Sequence, residues 1–232
     1  MQISYEYFEL ANGLKVYVNT VPGVPKVAFN LLYNVGAKDE YEHRTGLAHL
    51  FEHLMFSGSR HIPDYDRHVQ LAGGENNAFT NSDITNYYLT LPANQLETAF
   101  WLESDRMLSL DFSQRNLDIQ KSVVCEEFKQ RYLNQPYGDA YLYLRPLHYR
   151  VHPYKWMTIG KELAHIEDVT LPEIEDFFFR FYAPNNAVLA LSGAVTLAEA
   201  QHLAEKWFGP IPRRSVQRPA YEPEPRQTEA RT

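Results

Sequence analysis

The sequence predicts an α+β fold in which a mostly antiparallel β-sheet carries helices packed on one face. Three observations predict it. Segments near the N-terminus alternate between apolar and polar residues as strands do, and the central segments have the 3.6-residue period of helices. A further alternating segment returns near residue 186. The length of 232 residues suits one large domain or two small ones.

The first elements along the chain are predicted strands. The segments "YEYFEL" and "LKVYVN" flank Ala11-Asn12-Gly13, and an Asn-Gly pair is typical of a hairpin turn. In "KVAFNLLYNVG" the apolar residues alternate, so one side of this strand carries Val27, Phe29, Leu31, Tyr33 and Val35.

Helices and further strands follow. A helix is predicted from about residue 45 to 57, with Thr45 as its N-cap and Gly58 just beyond its end. A second helix covers 64–72, and "NNAFTNSDITNYYLTLP" predicts two strands with a turn near residues 81–83. The remaining predicted elements are helices at 94–107, 114–133, 137–148, 171–182 and 196–207 and the strand "NAVLALSG".

The composition changes after residue 208. Residues 209–232 contain five prolines among charged residues and few apolar ones. We therefore predict one domain over residues 1–208 and a proline-rich linker or tail over 209–232.

The overall composition excludes several classes of partner. The net charge of −7 and the absence of a long Lys/Arg run argue against nucleic acid. No stretch reaches the roughly 18 apolar residues of a membrane span, and no membrane partner is expected. The single cysteine, Cys125, rules out an internal disulfide. We expect a soluble protein, with the cytoplasm favoured because the chain as given has no signal peptide.

The segment "GLAHLFEHLM" contains three polar side chains within an apolar run, where their burial is unfavourable. On a helix with about 100° per residue, His49, Glu52 and His53 lie within an arc of about 100°. Two histidines at this spacing can bind one zinc ion, and the glutamate can reach a water on that ion. This is the H-x-x-E-H order of one class of zinc peptidase.

The alternative interpretation is a helix with incidental polar residues. Apolar residues surround the three on nearly every side, and a helix that is apolar all round is buried. Burying an unpaired carboxylate and two imidazoles costs several kcal/mol. A bound metal offsets this cost, so the pattern favours zinc.

A third ligand is expected on the helix that contains "IQKSVVCEEFKQRYLNQPYG". Its apolar face includes Val124 and Phe128, and Glu127 lies within that face whereas Glu126 lies outside it. Glu127 is therefore the predicted ligand. Gln120, two turns earlier on the same side, is a candidate hydrogen-bond partner of the metal ligands. Cys125 points away from this side.

These residues resemble a known family. The segments "HLFEH" and "VVCEE", with Glu127 74 positions after His53, are similar to the pitrilysin or insulinase-type zinc metallopeptidases. Further similar segments are "GGENNAFTNSDITNYY", "NQPYGDAYLYLRPLHYRVHPYKWMTIGKELAHI" and "FYAPNNAVLALSG", so the resemblance covers about residues 5–210. It implies that His49, His53 and Glu127 bind zinc and that Glu52 is the general base. It also implies that Asn77 and Ala78, on an edge strand, bind the backbone of a peptide substrate.

Two departures from the family accompany the resemblance. In several members a glutamate stands where this chain has Gln120, which can form a hydrogen bond but brings no charge. Family members also contain two homologous halves that close like a clamshell, and this chain corresponds to one half. The second half is expected either in the same polypeptide, which we favour, or as a separate subunit.

The sequence thus predicts a zinc-dependent endopeptidase half that needs its partner half for full activity. One alternative is a non-catalytic scaffold or assembly subunit of the same fold. Another is a domain that binds metal but cannot cleave until the partner half arrives. The complete set His49, Glu52, His53 and Glu127 favours the enzyme over the scaffold.

Overall fold

A six-stranded sheet lies at the centre of the structure, a computed structural model that describes residues 4–231. The strands are β1 (Glu6–Glu9), β2 (Lys15–Thr20), β3 (Lys26–Tyr33), β4 (Glu75–Thr80), β5 (Thr85–Pro92) and β6 (Ala187–Gly193). Their spatial order is β1-β2-β6-β3-β5-β4. Strands β2 and β6 pair in parallel and the other neighbours pair antiparallel, which confirms the predicted mostly antiparallel sheet.

The helices pack on one face of the sheet. In the described part of the chain they are α1 (Leu47–Leu54), α2 (Tyr65–Leu71), α3 (Leu96–Leu108), α4 (Gln114–Phe128), α5 (Ala140–His148), α6 (Ala164–Glu167), α7 (Leu171–Phe181) and α8 (Leu197–Trp207). A π-helical turn over Lys129–Leu133 continues α4. Within residues 4–231 no helix has both the length and the apolar composition needed to cross a membrane. The predicted cytoplasmic location stays a prediction.

The core lies between the helices and one face of the sheet. The predicted alternation in β3 is confirmed: Val27, Phe29, Leu31 and Tyr33 are fully buried. Lys26 and Ala28, which face the other way, are exposed. Phe29 packs edge-on against Phe100 of α3, with ring centroids 5.1 Å apart. Each large apolar side chain buried in this way contributes about 1.5–3 kcal/mol, which holds the helices on this face.

The helix boundaries differ from the prediction at α1 and α4. Thr45 is not the N-cap of α1: Gly46 precedes the helix, with φ of 91°. The Thr45 hydroxyl instead lies 2.8 Å from the Nδ1 of His165 and accepts a hydrogen bond from the backbone N–H of Lys161. The predicted helix 114–133 is α-helical only to Phe128 and then widens into the π-helical turn. The four-residue α6 was not predicted.

Residues 209–231 contain no helix or strand but fold back over the domain. The Arg218 guanidinium lies 2.5 Å from the Asp39 carboxylate. The Glu224 carboxylate accepts hydrogen bonds of 2.8–2.9 Å from the backbone N–H groups of Arg150, Val151 and His152. The sequence predicts a linker or tail here, and the domain boundary at residue 208 stays a prediction.

Candidate metal centre

The side chains of His49, His53 and Glu127 converge where α1 packs against α4. The Nε2 atoms of His49 and His53 lie 3.8 and 3.5 Å from Oε2 of Glu127. One donor atom from each residue lies within 4.8 Å of the other two. The structure thus brings together the three side chains that the sequence predicts as metal ligands.

Helix α1 presents both histidines on one side because they are separated by about one helical turn. Its other side is buried and includes Leu50, Phe51 and Leu54. The ring centroid of Phe51 lies 4.2 Å from that of Tyr182. This packing fixes the rotation of α1 about its axis, so the histidines face α4.

Helix α4 presents Glu127 on the side of its buried residues Val124 and Phe128. The Glu127 side chain is 19% exposed, whereas the Glu126 side chain is 62% exposed and pairs with Lys129 at 2.7 Å. The two adjacent glutamates therefore occupy different environments, in the directions that the helical period predicts.

The donor set fits zinc. Two imidazole nitrogens and one carboxylate oxygen form a common ligand set of catalytic zinc sites. Burial lowers the pKa of His49 to about 4, so its imidazole is neutral at pH 7, as a metal ligand must be. The contact with His53 holds the pKa of Glu127 below its usual range. Donors about 2.0–2.1 Å from a tetrahedral ion lie about 3.3 Å apart, close to the separations from Glu127.

The carboxylate of Glu52 faces the edge strand β4. Its Oε2 accepts a 2.5 Å hydrogen bond from the hydroxyl of Thr80, the last residue of β4. Burial raises the pKa of Glu52, and the bond from Thr80 acts in the opposite direction. Thr80 lies inside the predicted strand "NNAFT", but the sequence assigns it no role. Its contact with Glu52 depends on the packing of α1 against β4, which no local pattern encodes.

Strand β4 forms one wall of a cleft of about 440 Å³ that contains the cluster. Asn77 and Ala78 line this cleft together with His49, Glu52, His53, Phe79, Thr80, Glu127 and Arg131. Among the described residues β4 pairs with β5 alone, so no strand lies along its outer edge. Asn77 and Ala78 thus lie beside the candidate metal centre, on the strand where the family resemblance locates substrate binding.

Arg131 also lines the site, a position that the sequence does not predict. It lies in the π-helical turn after α4, and its Nη2 is 3.0 Å from Oε1 of Glu127. The second carboxylate oxygen, Oε2, is the one that faces the two histidines. One feature of the sequence could have indicated this contact: Arg131 follows Glu127 by four residues, and residues four apart are neighbours on a helix.

Within residues 4–231 no hydrogen bond joins Gln120 to the candidate ligands. Its Nε2 donates a 3.0 Å hydrogen bond to Oγ of Ser57, just beyond the end of α1. The physical reason is distance along the helix: seven residues separate Gln120 from Glu127 by about 10.5 Å. Gln120 therefore ties α4 to the segment after α1. Cys125 is buried and lies outside the cluster.

The Nδ1 atom of His49 is buried and has no hydrogen-bond partner among the described residues. Metal-binding histidines usually donate the N–H of their second nitrogen to a carbonyl or carboxylate, which orients the ring. The orientation of the His49 ring therefore depends on its packing and on the position of the α1 backbone.

Comparison with known proteins matches most of the chain to one family. Residues 15–138 match the model of the insulinase family, peptidase family M16. Residues 168–232 match the model described as the peptidase M16 inactive domain.

Individual relatives extend this similarity over nearly the whole chain. The zinc protease PqqE of Helicobacter pylori is 32% identical over 236 residues, which cover 98% of this chain and 52% of that protein. A crystal structure of a protease from Helicobacter pylori superposes with a TM-score of 0.91 at 29% identity and covers 97% of this chain and 55% of that one. The periplasmic protease PqqL from Escherichia coli superposes with a TM-score of 0.84 at 21% identity. The superposition covers 95% of this chain and 25% of that one, and it shows similarity of the fold alone. The chain thus spans about half the length of the Helicobacter relative.

Proposed function

Because the chain belongs to the insulinase family of peptidases, we propose that it is the metal-binding half of a zinc-dependent endopeptidase. The observation that carries this proposal is the convergence of His49, His53 and Glu127 in one cleft beside Glu52. Relatives of this chain are named zinc proteases, which supports zinc as the metal.

The proposed roles follow from the geometry of the cleft. His49, His53 and Glu127 would hold zinc, which when bound supplies a Lewis acid that polarises a carbonyl and lowers the pKa of water. Glu52 is the general base: it takes a proton from the attacking water and passes it to the leaving amine. Its Oε2 is engaged by Thr80, which leaves Oε1 for this transfer.

The substrate class that we propose is an extended peptide. The free edge of β4 can accept a peptide as an additional strand, with backbone hydrogen bonds supplying affinity without strict sequence choice. Asn77 and Ala78 are the proposed contact residues. Because the chain corresponds to about half of the Helicobacter relative, we propose that a homologous second half completes the site.

A non-catalytic scaffold is the rival function. The match of residues 168–232 to the inactive domain of the family supports it. The complete set of ligands and the base supports the enzyme, because a scaffold has no use for Glu52 beside three metal donors.

One experiment separates these functions. Zinc content and cleavage of an unstructured fluorogenic peptide are measured for the chain alone and with the proposed second half, in wild type and Glu52→Gln. We expect bound zinc in both proteins and cleavage in the wild type only. Zinc without cleavage in any combination would favour the scaffold, and loss of zinc from Glu52→Gln would mean that Glu52 is a ligand.

A further inference from the structure

The start of helix α1 is held by a carboxylate from outside the helix. Gly46 precedes α1 and offers no side chain for the backbone N–H groups of the first turn. The carboxylate of Glu40 replaces this cap: Oε2 accepts from the N–H of Gly46 and Oε1 from that of Ala48, both at 2.8 Å. Glu40 is 3% exposed. Burial raises the pKa of Glu40 to about 8, and the two N–H groups act in the opposite direction.

The residue after Ala48 is His49, the candidate ligand whose Nδ1 has no hydrogen-bond partner in the described chain. No hydrogen bond therefore orients its ring directly. A displacement of the first turn of α1 would move His49 relative to Glu127, which lies on a different helix. The two bonds from Glu40 oppose this displacement.

The segment that precedes Glu40 in the chain is hydrogen-bonded to the turn that follows the edge strand β4. The segment before it donates two backbone hydrogen bonds to the turn after β4, from Ala37 to the carbonyl of Asn81 at 3.1 Å and from Lys38 to that of Ser82 at 2.9 Å. The segment that ends in Glu40 thus joins the turn at the end of β4 to the first turn of α1.

We propose that Glu40 is a positioning residue that holds His49 and helix α1 in place relative to Glu127 and strand β4. This inference rests on the proposed zinc function. The carboxylate of Glu40 accepts from the backbone N–H groups of Gly46 and Ala48, so it acts through the backbone of α1. Partners that orient metal ligands typically change metal affinity about 10- to 100-fold when they are removed.

A residue that only stabilises the fold would behave differently. Its loss would lower the melting temperature of the metal-free chain without altering the zinc affinity of the molecules that remain folded. The test therefore needs a variant that destabilises the fold elsewhere. Leu203→Ala serves this purpose, because Leu203 is 7% exposed on α8, which packs on α3 and β2. Glu199→Gln makes the same substitution at an exposed position on α8, where no cap of α1 is lost.

The experiment measures zinc affinity by competition with a chelator, well below the melting temperature of every variant. The visible spectrum of Co²⁺, bound in place of zinc, reports the coordination geometry. We expect Glu40→Gln to bind zinc at least about 10-fold more weakly and to alter the Co²⁺ bands. Leu203→Ala and Glu199→Gln should keep the wild-type affinity and spectrum. If Glu40→Gln does not fold, Glu40→Asp, which keeps the carboxyl group but is one methylene shorter, is compared in the same way.

The outcomes separate this inference from the proposed function. Equal zinc affinity and equal Co²⁺ spectra in wild type and the Glu40 variant would overturn the inference and leave the zinc function intact. The inference is also overturned if Leu203→Ala weakens zinc binding as much as the Glu40 variant does. A wild-type chain that binds no zinc would overturn both proposals.

Discussion

The hydroxyl of Thr80 donates a 2.5 Å hydrogen bond to the carboxylate of Glu52 and so joins the edge strand to the helix that carries the histidines. Under the proposed mechanism this bond orients the general base. We expect Thr80→Val, which keeps the shape but removes the donor, to lower kcat about 10-fold, because a hydrogen bond to a charged group contributes about 1.5–3 kcal/mol. Zinc affinity should not change. Steady-state peptide cleavage by the chain with its proposed second half measures the effect.

Thr90→Val is the matched control for this prediction. Thr90 is a half-buried threonine on β5, opposite Glu75 rather than beside Glu52. Equal losses of kcat in the two variants would show that the Thr80 bond has no particular role.

Substitution of the adjacent glutamates tests the third ligand. Glu127→Gln should weaken zinc binding about 100-fold or more, because it removes the charged oxygen that faces both histidines. Glu126→Gln should leave the affinity unchanged, since Glu126 is exposed and pairs with Lys129. Zinc titration against a chelator measures both, and similar losses would refute the assignment of Glu127.

Arg131 should have a smaller effect on zinc binding. Its guanidinium holds Oε1 of Glu127, but its side chain is 66% exposed, so solvent weakens the ion pair. We expect Arg131→Ala to weaken zinc binding by about 2- to 5-fold, the range of an exposed ion pair. Lys129→Ala, in the same turn, is the control. High salt should reduce the difference between Arg131→Ala and wild type, because salt screens exposed charges.

Two glycines with left-handed backbones offer a matched test of packing at the start of α1. Gly46 (φ +91°) has no room for a side chain, since an added Cβ would lie 2.6 Å from the carbonyl oxygen of Ile159. Gly23 (φ +80°) has open space around it. We expect Gly23→Ala to cost about 1–2 kcal/mol through the backbone alone, and Gly46→Ala about 1–3 kcal/mol more through overpacking. Denaturant unfolding measures both, and equal costs would contradict the packing at Gly46.

The attachment of the C-terminal segment should depend on pH. Three backbone N–H groups lower the pKa of Glu224 from an ordinary value near 4.5 to about 2. A lowered pKa means that the contribution of Glu224 to stability is present above about pH 4.5 and is lost as the pH falls towards 2. The difference in unfolding free energy between wild type and Glu224→Gln should therefore shrink between pH 5 and pH 2.

The neighbouring exposed residue provides the control for this measurement. Glu222→Gln should leave the attachment of the segment intact, because within residues 4–231 no hydrogen bond involves the exposed Glu222. A difference between wild type and Glu224→Gln that stays constant with pH would contradict the attachment at residues 150–152.

Local periodicity predicted the sheet, most helix positions and the directions of His49, His53 and Glu127. It succeeded because each depends on neighbours within one or two turns of the same element. The proposed roles of Thr80 and Glu40 could not be predicted this way, since each side chain contacts a helix to which it does not belong. Thr45 failed as a predicted N-cap for the same reason: its hydroxyl is engaged by the distant residues His165 and Lys161.

The unpaired side of β4 has a consequence for the products of the proposed reaction. Side chains of a strand alternate between the two faces of the sheet. A bound peptide that shifts by one residue along β4 therefore moves every side chain to the opposite face. A shift of two residues, about 6.8 Å, restores the original arrangement. Cleavage sites in a single peptide should therefore be separated by two residues more often than by one residue. Mass spectrometry of the fragments measures this spacing.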